Sequence, residues 1–267
     1  MPQLKPVYLA AFLGIAAMSP AVAATCGNDG NGFSAWKSEF AAEARKAGIK
    51  KRGLEALASA QYATRTIAAD RNQKSFKYSL DKFMQVRGAN TIVAQARKRK
   101  ARNPNFYASL ERQYGVPSGV LLAIHGMETA FGSFMGDSSV VSAIVTLTYD
   151  CRRSDFFRPH AIGALKLVDQ GSITAQTKGA RHGELGHTQF LPGNAITYGV
   201  DANGDGRVDF YSEADALAST ANYLRGKGWK TGQGYGEGQP NFAAIKAWNA
   251  AGVYQKAIAI MAAKIDS

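Results

Sequence analysis

The amino-acid sequence predicts a mainly α-helical globular protein. Apolar side chains recur at the three- and four-residue spacing of amphipathic helices along much of the chain. The sequence has no clean alternation of apolar and polar residues between hairpin turns, and it has no internal repeat. Hydrophobic residues make up 46% of the 267 residues and charged residues 19%, which excludes a disordered or collagen-like chain. A large helical domain with a sizeable core is therefore expected.

The N-terminus has the pattern of a secretory signal peptide. Lys5 precedes an apolar segment at residues 7–18, and the small residues Ala-Val-Ala follow at 21–23. The apolar segment is too short to span a bilayer, so we expect cleavage after residue 23. A retained membrane anchor is the alternative. Cleavage would leave a soluble, exported domain over residues 24–267.

The charge of the chain indicates an anionic partner. The formal net charge of +12 attracts polyanions, and export favours a polymer of the cell envelope over nucleic acid. Residues 97–100 form a basic run with Arg102. This run is predicted to be either a solvated helix face or a patch that steers the protein towards an anionic polymer.

Cys26 and Cys151 are the only cysteines, so one internal disulfide is possible. Export to an oxidising compartment favours the bond. Because it would close a long loop, it is worth up to about 4–5 kcal/mol in the chain-entropy model. The alternative is two separate thiols, because sequence spacing does not establish that the residues are close in space.

The first helix is predicted at residues 33–47, where Phe33, Trp36 and Phe40 share one face and Gly48 ends the pattern. Helix is the expected state from there to residue 114. Further predicted segments are helices at 76–84 and 91–100, a loop with six glycines at 226–240 and a final helix at about 241–265.

One acidic residue lies on an apolar helix face. A helix is predicted to begin after Pro117, and the spacing of Leu121, Ile124 and Glu128 places all three side chains on one stripe. Desolvation at such a position raises the pKa of a carboxyl group, which suits a general acid working near neutral pH. The alternative is that Glu128 ends the stripe in a salt bridge with an arginine.

The segment DANGDGRVDFYSEAD at 201–215 has the opening of a calcium-binding loop. Gly206 is placed for the sharp turn. Position 12 is Ser212, which offers no bidentate carboxylate, so Glu213 or Asp215 would have to close the site. A turn-rich loop without metal is the alternative. The predicted oxygen ligands at positions 1, 3, 5 and 7 are Asp201, Asn203, Asp205 and the carbonyl of Arg207.

Other hydrolytic chemistries lack their sequence patterns. His182 and His187 flank Glu184, but their spacing is not that of zinc ligands. The sequence also lacks a GxSxG nucleophile elbow. A zinc hydrolase or a serine hydrolase is therefore not expected.

Several motifs follow one another in an order that resembles a known family. They are GMETAFG at 126–132, TLTYDCRR at 146–153, GELGHTQFLP at 183–192, the 201–215 loop, ALASTANYLRGKGW at 216–229 and AWN at 247–249. The order is similar to that of the lytic murein transglycosylases related to membrane-bound lytic transglycosylase B. The resemblance extends from about residue 33 to the C-terminus.

The resemblance implies an α-rich, lysozyme-like transglycosylase fold with an EF-hand-like calcium loop. It implies one catalytic domain, with a helical subdomain at about 33–114 and a lysozyme-like core at 115–267. The implied activity is cleavage of the β-1,4 bond between N-acetylmuramic acid and N-acetylglucosamine in peptidoglycan, leaving a 1,6-anhydromuramoyl end. A periplasmic monomer that binds glycan strands, without stable membrane insertion, is expected.

Residue by residue, the resemblance makes Glu128 the catalytic glutamate, acting first as acid and then as base. It also closes the calcium loop with Asp215 instead of Glu213, for one structural calcium ion and no catalytic cofactor. Gln189 and Asn249 are expected to orient the acid or the substrate's N-acetyl group. The full set of implied substrate-binding residues is Gln189, Tyr223, Trp248, Asn249 and Tyr254.

The sequence departs from the family pattern at three positions. Ala180 and Gly193 stand where some members have serine, and Trp248 replaces a tyrosine. Two alternatives to lytic cleavage remain. A lysozyme-type hydrolase would use Glu184 as a second carboxylate, and a wall-binding protein would use the same cleft without catalysis.

Overall fold

The structure is a computed structural model that describes residues 25–72 and 77–267. The predicted signal peptide at 1–23 and the first residue of the helix predicted at 76–84 lie outside the described residues. Two very short strands, β1 (Ser138–Ser139) and β2 (Lys178–Gly179), pair antiparallel with Ser138 opposite Gly179. All other regular structure in the described residues is helical, which confirms the mainly α prediction.

The helices in chain order are α1 (Phe33–Lys46), α2 (Lys51–Ser59), α3 (Thr64–Arg71), α4 (Leu80–Val86), α5 (Ala89–Arg102), α6 (Pro104–Tyr114), α7 (Ser118–Thr129), α8 (Val140–Tyr149), α9 (Ser154–Gln170), α10 (Pro192–Tyr198), α11 (Glu213–Gly226), α12 (Phe242–Trp248) and α13 (Gly252–Asp266).

Helix α7 lies at the centre of the core. All of its residues except Glu128 are buried, and Leu121, Leu122 and Ile124 are fully inaccessible to solvent. It packs against α13, α5, α6 and α11, while α8 and α10 both pack against α9. One continuous cluster of buried apolar side chains extends from Phe33 to Ile265. A helix enclosed on all sides is hydrophobic all round, so its one carboxylate is conspicuous.

The early helices follow the predictions, with one difference. Helix α1 corresponds to the segment predicted at 33–47, and α5 contains the segment predicted at 91–100. The helix predicted from residue 76 instead begins at Leu80, because Ser79 is extended and its Oγ accepts the N–H of Lys82 at 3.4 Å. Such an N-cap satisfies one of the free donors of the first turn and fixes the start of the helix.

The prediction of one final helix at 241–265 is wrong. The chain forms α12 and α13 with a break at Asn249, whose backbone is extended at φ −144° and ψ 126°. The side chain of Gln255 donates to the Asn249 carbonyl at 2.8 Å, which stabilises the break. The glycine-rich segment at 226–240 contains no helix beyond Gly226, as predicted. The break ends α12 at Trp248 and leaves Asn249 outside a helix.

The basic run at 97–100 has a structural role that the sequence did not indicate. Arg97 donates to the carbonyl of Lys264 at 2.9 Å, and Lys100 lies 2.7 Å from the carboxylate of Asp266. Arg99 stacks over the ring of Phe131 with 4.8 Å between its guanidinium carbon and the ring centroid. These contacts fasten α5 to α13 and to the segment after α7, so only part of this charge faces solvent.

The predicted disulfide between Cys26 and Cys151 is formed, with 5.0 Å between the two Cα atoms. It joins the start of the described chain to the segment after α8. The N–H of Gly27 donates to the Tyr149 carbonyl at 3.0 Å, which adds a short backbone bridge beside the bond. Among the described residues, none of the helices combines the length and the apolar character that a bilayer crossing requires.

Candidate active site

Glu128 occupies the last turn of the central helix and is partly exposed, whereas its neighbours on α7 are buried. The helix stops immediately after it, because Ala130 and Phe131 both have positive φ values, 47° and 60°. Thr129 Oγ1 donates to the carbonyl of His187 at 2.6 Å and fixes this helix end against the segment at 183–190. A buried helix therefore presents one carboxylate at its open end.

Two side chains from the C-terminal helices hold one oxygen of Glu128. Tyr254 Oη donates to Oε1 at 2.5 Å, and Trp248 Nε1 donates to the same atom at 3.4 Å. Within the described residues, Oε2 accepts no hydrogen bond. The carboxyl group is therefore oriented through one oxygen, and the other is left for a ligand.

Burial raises the pKa of Glu128 to about 7. Desolvation is the largest cause, and the negative charge of Glu184 adds to it. The hydrogen bonds from Tyr254 and Trp248 and the charge of Arg87 oppose the rise. The sequence predicted this direction from the apolar stripe. A carboxyl group with this pKa is partly protonated at neutral pH and can donate a proton.

Glu128 lines a cavity of about 140 Å³. Four of the five predicted substrate-binding residues line the same cavity, and Tyr254 contacts the acid directly. The structure therefore brings the predicted residues together, although they are separated by up to 126 positions in sequence. The four are Gln189, Tyr223, Trp248 and Asn249.

Trp248 and Tyr223 build one wall of the cavity from aromatic rings. Their ring centroids are 5.3 Å apart, and the ring of Phe190 lies 5.3 Å from Trp248. The Tyr223 hydroxyl donates to the Ala247 carbonyl at 2.7 Å, and burial raises the pKa of this phenol to about 12. Tyr223 therefore contributes its ring and not an ionisable group. Edge-to-face packing of this kind fixes the indole that contacts Glu128.

Within the described residues, Gln189 and Asn249 line the cavity with Glu128 but make no hydrogen bond to it. Their expected role towards the substrate's N-acetyl group stays a prediction. The side-chain amide of Gln189 donates to the Gly186 carbonyl at 2.7 Å. Asn249 accepts the N–H of Ala251 at 2.9 Å through Oδ1. Tyr254 and Trp248 orient Glu128 instead, because the break between α12 and α13 turns both towards α7.

The backbone of Gln189 is in the left-handed region, with φ 56°. Reciprocal hydrogen bonds between Leu185 and Phe190, at 2.8 Å and 2.9 Å, close the tight turn that imposes this conformation. A non-glycine residue held there costs about 1–3 kcal/mol and is common where a side chain must be placed for function. The turn directs Gln189 into the cavity.

Glu184 is a second carboxylate on the cavity wall. It precedes the turn that places Gln189, and burial raises its pKa to about 7 as well. The sequence analysis named it only as the second carboxylate of a lysozyme-type hydrolase. Three further lining residues were not predicted, and their only signal in the sequence is that they follow Gln189 closely along the chain: Phe190, Leu191 and Asn194 of α10.

A pair of neutral histidines joins α7 to the 183–190 segment beneath the cavity. His125 Nε2 and His187 Nδ1 are 2.9 Å apart, and His187 Nε2 lies 3.2 Å from the Tyr211 carbonyl. Since a carbonyl only accepts, His187 carries its proton on Nε2 and accepts from His125. Desolvation lowers the pKa of His125 to about 3, so this fully buried ring stays neutral. The two rings therefore connect α7 to the 183–190 segment by a direct hydrogen bond.

The 201–215 loop carries its carboxylates as the sequence predicted, but they bind backbone groups. Asp201 accepts the N–H of Gly204 at 2.8 Å, and Asp205 accepts that of Arg207 at 2.9 Å. Asp215 is fully buried, and its two oxygens accept three backbone N–H groups, those of residues 202, 203 and 209. In the part of the chain that the structure describes, three or more His, Cys, Asp or Glu side chains do not converge as metal ligands. The calcium site therefore stays a prediction.

Comparison with known families identifies the family of this chain. The family described as the transglycosylase SLT domain matches residues 32–239. This chain belongs to that family. The match contains α7, the 183–190 segment and the 201–215 loop, and it ends before α12 and α13. The C-terminal helices, whose Trp248 and Tyr254 donate to Glu128, thus lie beyond it.

The transglycosylase domain has relatives in sequence and in structure. Membrane-bound lytic murein transglycosylase B of Escherichia coli is 34% identical over 121 residues, which are 45% of this chain and 34% of that protein. SltB3 of Pseudomonas aeruginosa, solved in complex with NAG-NAM-pentapeptide, superposes with a TM-score of 0.81 at 27% identity, over 89% of this chain and 80% of that one.

A more distant structure supports the lysozyme-like transglycosylase fold alone. The Escherichia coli lytic transglycosylase Slt35, solved in complex with calcium, gives a TM-score of 0.75 at 20% identity and covers 93% of this chain and 98% of its own. Together the matches confirm the predicted family and the mainly helical, lysozyme-like fold, while the calcium loop within it stays a prediction.

The structure explains one of the departures from the family pattern. A Cβ atom at Gly193 would lie 2.6 Å from His160 Nδ1, which instead accepts the Gly193 N–H at 3.2 Å. Serine would not fit there without displacing His160, so this transglycosylase domain replaces a side chain with a backbone contact between α9 and α10. Ala180 has no such account: its N–H donates to the Glu184 carbonyl at 3.0 Å, a bond that serine would also make.

Proposed function

We propose that this transglycosylase domain cleaves the β-1,4 bond between N-acetylmuramic acid and N-acetylglucosamine in peptidoglycan and closes a 1,6-anhydro ring on the muramoyl sugar. One observation carries the proposal. Glu128 lines a cavity, has its pKa raised to about 7 and keeps Oε2 without a partner among the described residues. A single carboxyl group in this state can serve as both acid and base for one sugar.

In the first step, protonated Glu128 donates its proton to the glycosidic oxygen. The bond from that oxygen to the anomeric carbon breaks, and the carbonyl oxygen of the substrate's own N-acetyl group bonds to the same carbon. The products of this step are a free hydroxyl on the leaving sugar, a cyclic oxazolinium ion and the Glu128 carboxylate. Substrate assistance of this kind replaces the second carboxylate of ordinary glycosidases.

In the second step, the Glu128 carboxylate takes the proton of the C6 hydroxyl. The C6 oxygen then bonds to the anomeric carbon, and the N-acetyl group is released. Glu128 ends protonated and ready for another cycle, so the reaction consumes no water. The hydrogen bonds from Tyr254 and Trp248 stabilise the carboxylate that exists between the two steps.

The remaining cavity residues are assigned to substrate placement. Within the described residues, the Nδ2 of Asn249 makes no hydrogen bond and is available to a sugar acetamido group. The Gln189 amide nitrogen is already engaged, so its carbonyl oxygen is the free acceptor. The aromatic wall of Trp248 and Tyr223 suits the apolar face of a sugar ring.

The relatives support the substrate class. SltB3 of Pseudomonas aeruginosa, the relative at 27% identity, was also solved with NAG-anhNAM-pentapeptide, which contains an anhydro sugar. Because the matched part of the Escherichia coli relative is 34% of its length, activity on whole peptidoglycan is a proposal for this chain and not a finding.

Mass spectrometry of the soluble products tests the proposed function. Purified peptidoglycan is digested with the parent protein, and the muropeptides are compared with those from a muramidase. Anhydro products lack one water relative to hydrolysed ones, and we expect the anhydro series alone. Reducing muropeptides would show a hydrolase, and an absence of soluble products would show a wall-binding protein.

Hydrolysis is kept as a second candidate because Glu184 is a second carboxylate on the wall of the same cavity. An ordinary glycosidase needs such a group to activate water or to attack the sugar. Under that function the products carry reducing ends, and the same mass measurement separates the two candidates.

We also propose that the 201–215 loop binds one structural calcium ion, in an exported monomer. The donor chemistry fits: Asp201, Asn203 and Asp205 supply exposed or partly exposed oxygens, and buried Asp215 lies behind them with an oxygen directed at the loop backbone. The Arg207 carbonyl would complete the set. Calcium would stabilise the loop ahead of α11, which carries Tyr223, and would supply no chemistry to the sugar.

A further inference from the structure

Glu184 lines the same cavity as Glu128, but the proposed mechanism gives it no role. It lies between β2 and α10 and is partly exposed. An ionisable group that faces an acid across a small cavity changes the proton affinity of that acid, whatever else it does.

The structure fixes Glu184 in place. Its Oε2 accepts the N–H of His182 at 3.2 Å, and His182 Nδ1 lies 3.6 Å from Oε1. The other ring nitrogen of His182 is 3.9 Å from a carboxylate oxygen of Asp70. Asp70 is only 4% exposed and forms ion pairs with Arg152 and Arg153. The carboxylate of Glu184 is thus connected through His182 to the buried ion pairs of Asp70.

We propose that Glu184 is a positioning residue: its anchored carboxylate ionises first, and its negative charge keeps the proton on Glu128 until the glycan is bound. Both oxygens of Glu184 already face His182, so what this group delivers to the cavity is charge and not a free base. The proposal rests on the proposed function, because only an acid-catalysed reaction needs Glu128 protonated.

The order of ionisation follows from the surroundings of the two carboxyl groups. Desolvation raises the pKa of Glu184 to about 7, and the backbone N–H groups and the charge of Arg153 oppose that rise. The pKa of Glu128 is raised further by the charge of Glu184. Two carboxyl groups that repel each other lose their protons in separate steps, and the better solvated or better paired one goes first.

Other groups face Glu128, and none of them supplies the same effect. Tyr254 from α13 and Tyr223 from α11 are phenols whose raised pKa values keep them neutral. Arg87, after α4, is positive and lowers the pKa of Glu128. The indole of α12 does not titrate. Among the groups that act on Glu128, Glu184 is therefore the one that adds negative charge.

A titration by ¹³C NMR tests this without any substrate. Glutamate is labelled at its side-chain carboxyl carbon, and the Glu128 signal is identified by its loss in Glu128→Gln. In the parent protein we expect two steps in the Glu128 curve, one of them at the pH where Glu184 titrates. In Glu184→Gln we expect one step, at a pH lower by at least about half a unit, because a like charge has been removed.

Two further variants are controls. Glu184→Asp keeps a carboxylate and should keep the Glu128 midpoint near that of the parent. Glu55→Gln removes an exposed carboxylate of α2 that pairs only with Lys51 at 3.9 Å, and should leave the Glu128 titration unchanged. If Glu184→Gln does not fold, the two-step curve of the parent still decides the question.

Kinetics on soluble glycan strands give a second measurement. In Glu184→Gln the alkaline limb of kcat/KM should move to lower pH by the same amount as the NMR midpoint, with the product unchanged. A one-step curve in the parent, an unshifted midpoint in Glu184→Gln, or a product of Glu184→Gln that differs from that of the parent would overturn the proposal. Failure of the proposed function is seen separately, in the products of the parent, since the titration needs no activity.

Discussion

Glu128 and Asp215 are both carboxylates set into the protein, but their partners differ in kind and in distance along the chain. Glu128 receives two side-chain donors, which lie 120 and 126 positions away. Asp215 receives three backbone N–H groups, all within 13 positions. Contacts of the second kind fix a loop. Contacts of the first kind orient a group, leave one oxygen without a partner and allow it to exchange a proton.

The comparison predicts opposite consequences for change in the two regions. Alteration of the cleft at 128, 248 or 254 should change the rate and its pH dependence while the fold persists. Alteration of the loop at 201–215 should change stability while the chemistry persists.

Glu128→Gln should reduce the release of soluble muropeptides by about a hundredfold or more, because an amide cannot donate the proton and loss of a general acid costs about 10²–10⁴ in rate. The measurement is turnover of purified peptidoglycan. Retention of more than about a hundredth of the parent rate would contradict the assignment of Glu128 as the acid.

The thermal stability of Glu128→Gln is the control for its loss of activity. The folded-state pKa of Glu128 is about 7, above its ordinary value of 4.5, so ionisation of this group opposes folding. The parent should lose stability as pH rises from 4.5 to 7, and Glu128→Gln should not lose that part. At pH 8 the variant should therefore melt above the parent, which also shows that its inactivity is not due to unfolding.

Tyr254→Phe should lower the rate by about ten- to a hundredfold, since a hydrogen bond to a charged group is worth about 1.5–3 kcal/mol. The hydrogen bond from Tyr254 lowers the pKa of Glu128, so its removal should raise that pKa. The alkaline limb of the rate should therefore move to higher pH. Trp248→Phe removes a bond of 3.4 Å instead of 2.5 Å and should give a smaller shift in the same direction. Equal shifts, or a shift to lower pH, would show that these donors do not control the acid.

Calcium should raise the melting temperature of the parent, and Asp205→Ala should remove that rise without loss of activity at low temperature. Binding to the folded state alone contributes about 2.7 kcal/mol at a concentration one hundred times Kd. Asp81→Ala, in the first turn of α4, is the matched control and should keep the calcium effect. Calorimetry that detects no calcium binding at millimolar concentration would exclude the proposed ion.

The sequence predicted the features that depend on local spacing and missed those that depend on contacts distant along the chain. The stripe containing Glu128, the disulfide and the first helix depend on local spacing or on a small number of candidates, and all three were predicted. The break at Asn249 depends on Gln255 and on packing against α7, so periodicity alone extended the final helix through it. Local spacing also could not identify Trp248 and Tyr254 as the donors to Glu128, because that requires the fold.

Glu184 shows the same limit within a motif that was recognised. The segment GELGHTQFLP was part of the family resemblance, yet the proposed role of its glutamate depends on His182, directly before the motif, and on Asp70 of α3. The resemblance assigned residues one by one to known roles. The resemblance assigned no role to Glu184, whose contacts include residues outside the motif.

The pH dependence of anhydromuropeptide formation tests the central claim most directly. The claim is that burial keeps Glu128 protonated near neutral pH, so that one carboxyl group serves as acid and then as base. Measured as kcat/KM on soluble glycan strands, the rate should fall with a midpoint near pH 7 as Glu128 ionises. A fall with its midpoint near the ordinary carboxyl value of 4.5 would contradict the account.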